Sequence, residues 1–225
     1  MKNWRGLLVM ATLLALIAAP SWAEPNRYEA KLTAAEVVIA EAVTRSGAAI
    51  PADYIKRARA IAIFPGVVRG GFLYGARYGE GVVLARGDEN KWSAPAFFTV
   101  TGGSFGLQAG LESADIVLLI MNQKGLQALL KQRFTIGGEI SVAAGPNSAS
   151  AAGDIDIALK ADILSYTRSR GLFAGIAVNG ARMAFSPRMN REFYSRAVTA
   201  DDIIIQRTIE RPAAASGLLR RLDEY

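Results

Sequence analysis

Apolar positions recur at helical spacing early in the chain and then give way to short β-rich runs punctuated by glycine. From Pro25 to about Ser46, Leu32, Ala35, Ile39, Ala42 and Val43 fall on one stripe. That spacing predicts a helix packed on a core, with Pro25 in its first turn and Gly47 stopping it. Glu29, Glu36 and Glu41 nearly cancel Arg27, Lys31 and Arg45, so the helix lacks the cationic excess of a membrane-surface helix. Pro51 opens a second, short helix through Arg59. Lys56, Arg57 and Arg59 crowd its last turn, where they complement the helix dipole or form an anion-facing patch.

From Ala60 the pattern turns to strands. Runs are expected at Ala60–Phe64, Gly71–Tyr78, Gly81–Arg86, Ala96–Thr101, Ser104–Glu112 and Asp115–Met121. Gly87-Asp88-Glu89-Asn90 has turn chemistry and predicts a hairpin into Lys91-Trp92. Gly125 to Gln132 reads as a short helix, Glu139–Ala143 as a strand, and Asp154–Tyr166 as a long one. In that long run Ile155, Ile157, Leu159, Ala161 and Ile163 alternate with Asp154, Asp156, Lys160 and Asp162, which predicts one buried and one solvated face. Asn179-Gly180 splits Gly171–Val178 from Ala181–Ser186 as a hairpin would. Thr199-Ala200-Asp201-Asp202 is a helix start, and Pro212 to Tyr225 ends the chain as a helix. Glycine in strand interiors is costly unless a sheet bends or backbones meet closely. The expected class is therefore α+β: N-terminal helices, a strongly curved, glycine-rich antiparallel sheet or partial barrel, and a helical C-terminus.

Residues 1–23 have the pattern of a secretory signal. Lys2 and Arg5 precede an apolar run from Gly6 to Ala19, and Ser21-Trp22-Ala23 offers small residues before a cut at Glu24. That run is short of the roughly 20 residues that span a bilayer. The expected product is one domain, residues 24–225, periplasmic or secreted. Loss of Lys2 and Arg5 lowers the net charge from +6 to +4. The 225 residues hold no Cys and no His. Disulfides, thiol nucleophiles, imidazole-based triads and His- or Cys-built metal centres are thereby excluded. Cofactor and metal sites are not expected, and the reading is non-enzymatic.

Gly102-Gly103-Ser104-Phe105-Gly106 lacks dinucleotide spacing, and no P-loop is present. Asp154 and Asp156 offer a divalent-cation pair, or simply a solvated strand face. Charge distribution says more. From Leu164 to Ala200 the chain carries Arg168, Arg170, Arg182, Arg188, Arg191 and Arg196 against Glu192 alone, a net +5. The planar fork of Arg suits phosphate oxygens. Tyr166, Phe173, Phe185, Phe193 and Tyr194 interleave with these arginines, a combination that also fits nucleic acid. An exported chain is better matched by anionic lipid. Arg168 and Arg170, two apart on one strand, are expected on one side of the sheet, gripping headgroup phosphate. Arg182, Arg188, Lys56 and Arg57 complete the expected headgroup site.

Five stretches resemble the SYLF lipid-binding domain family. They are Ala60-Ile61-Ala62-Ile63-Phe64-Pro65-Gly66, Trp92-Ser93-Ala94-Pro95-Ala96, Ser104 to Gly110, Ala143-Ala144-Gly145-Pro146, and Ser165 to Gly175. The resemblance covers about residues 35–206. It implies an exported bacterial member that binds anionic phospholipid at a membrane surface, and it carries no catalytic residues. Eukaryotic relatives bind phosphoinositides and join actin–membrane sites, partly through a basic N-terminal helix; here that helix is nearly neutral. The alternative is an envelope structural or protein-interaction module without a lipid ligand. A carboxylate-based hydrolase is a third, weaker reading.

Overall fold

The computed structural model describes residues 26–44, 50–87, 89–131, 133–138, 140–146, 160–169, 172–175 and 180–225. The signal-like segment, Asp154 to Leu159 and Arg170 lie outside the described residues. In order come α1 (Arg27–Thr44), α2 (Ala52–Arg57), β1 (Ala60–Ala85), β2 (Ala96–Ile120), α3 (Gln123–Ala128), β3 (Phe134–Thr135) and β4 (Val142–Ala144). Then follow β5 (Ile163–Ser169), β6 (Leu172–Gly175), β7 (Arg182–Phe185), α4 (Pro187–Tyr194), α5 (Ala200–Ile204), a 3-10 turn (Ala213–Ala215) and α6 (Ser216–Asp223). No helix among the described residues is long and apolar enough to cross a membrane.

The six strands expected between Ala60 and Met121 merge into two, β1 and β2, paired antiparallel from Ala60↔Ile120 to Val83↔Ala96. Glycine bends this ribbon without cutting it. Fully extended, 26 residues would run about 86 Å. Instead β1 curls until Arg86 N donates to Arg59 O at 2.7 Å, joining its two ends. Register shifts between Phe64 and Val67 and between Gly71 and Leu73 supply the bends. Gly66 sits in the first at φ 61°, and its N–H donates to Asp115 Oδ1 at 2.8 Å. Where the curled halves meet, a Cβ on Gly81 would stand 2.2 Å from Ile63 O, so only glycine fits. Among the described residues the sheet has seven strands, whose named pairings are antiparallel except that β4 pairs with β5 in parallel.

At residues 60–64, 81–85, 96–98 and 116–120 both faces of the ribbon are buried, which explains the near-continuous apolar runs there. Ile61, Ile63, Val82, Leu84, Val117 and Leu119 face α1 and α6, including Leu32, Ile39, Leu218 and Leu222. Ala62, Phe64, Val83, Phe98 and Leu118 face the opposite way, among Leu126, Phe134, Met183, Ile203 and Ile204. The α1 stripe packs into this core as its spacing predicts, with Tyr28 and Val38 added and Val43 at the margin.

The β5 region departs from its alternating pattern. The strand begins only at Ile163, and Ile163 and Leu164 are buried on opposite faces. Asp162, expected on a solvated face, is buried. Asn122 Nδ2, Lys124 Nζ and the N–H and hydroxyl of Ser141 donate to its carboxylate at 2.8–2.9 Å. The hairpin expected around Asn179-Gly180 lies in part outside the described residues; among those described, β6 pairs with β5, and β7 with β2 and β3. The helix start at Thr199 forms as a capping box with Asp202.

Candidate functional site

The turn between β1 and β2 is built from its own polar groups. Gly87 N donates to Lys91 O at 2.8 Å and Asn90 N to Gly87 O at 2.9 Å, with Asn90 at φ 59°. Ser93 then bonds both polar groups of Ala85: Ser93 N donates to Ala85 O at 2.7 Å, and Ala85 N to Ser93 Oγ at 3.1 Å. This holds Trp92 in the core beneath Arg86, whose guanidinium carbon lies 4.3 Å from the ring centroid. Arg86 also donates from Nη1 to Asn90 Oδ1 at 2.8 Å and from Nη2 to Ile55 O at 3.3 Å, tying the turn to α2. Burial pushes its guanidinium pKa down, with Asp223 opposing.

The segment after α5 closes over this turn. Arg207 adopts φ 52°, unusual for a residue with a side chain. Its Nη2 donates to Arg86 O at 2.9 Å, 121 residues away in sequence. A Cβ on Gly87 would meet Arg207 Nη1 at 2.2 Å, so the absence of a side chain at Gly87 admits the guanidinium. Between turn and segment lies a cavity of about 400 Å³ lined by Trp92, Lys91, Glu89, Arg207 and Arg211, among others. Among the described residues three cations thus meet one carboxylate, and Glu89 already pairs with Lys91 at 2.7 Å. The size falls in the range of small-ligand pockets.

Among the described residues, the expected headgroup cations stand on four separate elements, α2, β5, β7 and α4. Lys56 and Arg57 stand together, exposed, at the end of α2, beside exposed Arg59 and the Arg86 turn. Arg182 is exposed on β7, and Arg188 is exposed on α4, 3.9 Å from Glu192. Arg168, expected to grip phosphate, is largely buried opposite Asp115, donates from Nε to Asp115 Oδ2 at 2.6 Å, and pairs with Glu41 of α1. Its two carboxylates consume its charge. Arg170 lies outside the described residues. Arg168 on β5 and Arg182 on β7 also flank different stretches of β2, residues 115–120 and 98–101.

Most of the aromatic residues among the arginines are core elements. Phe193 packs edge-on against Tyr28 and Phe97, at 5.8 and 4.9 Å between centroids. Tyr194 OH donates to Pro95 O at 2.6 Å. Tyr166 is buried, with its OH donating to Pro146 O at 3.0 Å and its ring where a Cβ on Gly145 would lie. Burial pushes the phenol pKa of both tyrosines up. These contacts give the Trp92–Ala96, Ala143–Pro146 and Ser165–Tyr166 motifs structural roles. The cavity itself was not read from the sequence. Its one local signal is Trp92 directly after a polar turn; nothing local connects that turn to Arg207 and Arg211.

Comparison with known proteins points to one family. The family model described as Ysc84, Las17-binding protein actin regulator, matches residues 101–225. The bovine SH3 domain-containing YSC84-like protein 1 is 37% identical over 177 residues, covering 78% of this chain and 51% of that one. Its human counterpart is 36% identical over the same length and shares. LAS seventeen-binding protein 3 of Saccharomyces cerevisiae is 36% identical over 177 residues, covering 77% of this chain and 38% of its own. The chain thus spans about half the length of the animal relatives it matches, and less of the yeast one. With the Trp92–Ala96 and Ser165–Gly175 motifs in place on the curled β1–β2 ribbon, the chain belongs to the Ysc84 family, the SYLF domain family its sequence resembles.

Proposed function

We propose that this is an exported, non-enzymatic module that binds anionic phospholipid headgroups at a membrane surface. The observation that carries the reading is the group of cations around α2 and the β1–β2 turn. Lys56, Arg57 and Arg59 are exposed side by side, and Arg86 ties their helix to a turn that presents Lys91 and, across the cavity, Arg207 and Arg211. Cations so gathered attract an anionic surface, each adding on the order of 1 kcal/mol near the lipid and less as salt screens it. Arg182 and Arg188 add exposed charge elsewhere and belong to the reading as secondary contacts.

Flotation of the full chain with phosphatidylglycerol or phosphatidylcholine vesicles tests it. The wild type is expected to float with the anionic vesicles only. Lys56→Ala/Arg57→Ala should weaken that binding by about thirtyfold, the equivalent of roughly 2 kcal/mol. Equal indifference to both vesicle types would reject lipid binding. A protein-interaction module is the second reading, favoured by the yeast relative's name as a LAS seventeen-binding protein. Under that reading the same surface serves a protein partner.

A further inference from the structure

We propose that the cavity between the β1–β2 turn and residues 207–211 is a binding site for a phosphate group. The inference rests on the preference for anionic headgroups proposed above and names the residues that would surround the phosphate. Trp92 and Arg207 both line the cavity, and both carry a buried N–H with no acceptor among the described residues: Trp92 Nε1 and Arg207 Nε. Arg86 Nε, stacked behind the Trp92 ring, is a third. An indole N–H and a guanidinium N–H can only donate, so an acceptor alone can satisfy them. Leaving such donors buried and unmet is costly.

Charge narrows the acceptor to an anion. Among the described residues, Lys91, Arg207 and Arg211 line the cavity against Glu89 alone, and Lys91 already holds that carboxylate at the exposed rim. A phosphate offers several oxygens to the donors around it, and guanidinium forks match its geometry. The backbone is arranged to hold one of these forks in place. Arg207 keeps a left-handed conformation, and Gly87 leaves the space its Nη1 occupies. Strain of this kind persists where the surroundings enforce it and is common at ligand clamps.

Trp92 provides its own reporter. The chain has tryptophan only at residues 4, 22 and 92, so full-length protein with Trp4→Phe and Trp22→Phe fluoresces from Trp92 alone. It is titrated with inorganic phosphate, with glycerol 3-phosphate and with phosphatidylglycerol vesicles, each against chloride at equal ionic strength. A saturable Trp92 change is expected, weakened at least tenfold by Arg207→Lys, which keeps the charge and loses the fork. Arg211→Gln, at an exposed position, should weaken it several-fold without disturbing the fold. Response to the soluble phosphates assigns the site to a free phosphate or phosphate ester. Response to vesicles alone assigns it to a lipid headgroup, and either supports the site. Trp92 indifferent to all three ligands, or responding equally in both variants, overturns it. Vesicle flotation that persists beside a silent Trp92 removes this cavity and leaves the Lys56–Arg57 reading intact. A Trp92 response to soluble phosphate in a protein that never floats keeps the cavity and removes the membrane.

Discussion

The side-chain amide of Asn190 takes up both backbone polar groups of Phe97: Phe97 N donates to Asn190 Oδ1 at 2.9 Å, and Asn190 Nδ2 donates to Phe97 O at 2.8 Å. A helix thereby supplies the hydrogen bonds that a neighbouring strand would give at the start of β2. Nδ2 also donates to Ser186 O at 2.8 Å, while Ser186 N donates to Phe97 O at 3.0 Å. Asn190→Ala leaves Phe97 N buried without its acceptor and should cost about 1–3 kcal/mol in urea unfolding. Asn190→Asp keeps the acceptor but turns a carboxylate toward two carbonyl oxygens. Its loss at pH 7 should be at least as large, and should shrink on acidification as the carboxyl regains a donor.

Asp162 pins α3, residue 141 and the start of β5 to one carboxylate. Burial opposes its charge, but the bonds from Lys124, Asn122 and Ser141 outweigh burial and hold its carboxyl well below the usual carboxylate range. A carboxyl with a depressed folded value contributes its stability above the unfolded value, near 3.8, and loses it as pH falls further. Asp162→Asn should therefore lower stability by roughly 1–3 kcal/mol at pH 7. The gap between variant and wild type should narrow below about pH 4. A gap unchanged between pH 7 and pH 3 would mean that the charge contributes nothing.

The curl of β1 depends on what glycine lacks. Gly81→Ala drives a methyl into Ile63 O, a backbone atom that cannot swing aside. Thermal or urea unfolding should show a loss of roughly 3 kcal/mol or more. Gly103→Ala is the matched control: it lies on β2 in open space and should stay within about 0.5 kcal/mol of wild type.

Arg168 is expected to act on stability and not on lipid affinity. Arg168→Ala strips a largely buried Asp115, and Glu41 on α1, of their shared cation. The cost should be about 3 kcal/mol, with partial recovery in Arg168→Lys. Flotation of the folded variant should match wild type; a selective loss of flotation would return Arg168 to the lipid site.

The sequence by itself determined the elements with strong local signals. The α1 stripe at Leu32, Ala35, Ile39 and Ala42, the Thr199–Asp202 cap, the turn at Gly87 to Asn90 and the C-terminal helix each follow from spacing or from one residue's conformational preference. The mixed class and the bending glycines were legible for the same reason, because a strand interior tolerates glycine only at a bend or a close approach. Only the tertiary structure decided which side chains meet. Six expected strands became two because a bulge bends a ladder without ending it, and local sequence does not tell a bend from a stop. Asp162 was assigned to solvent by alternation, yet it is buried because partners from residues 122, 124 and 141 satisfy it there. Arg168 read as a free cation until β5 set it opposite Asp115 and α1 brought Glu41. The cavity of Trp92 and Arg207 has almost no sequence signature: its donors lie far apart along the chain, and charge and hydrogen-bond balance are properties of neighbours in space.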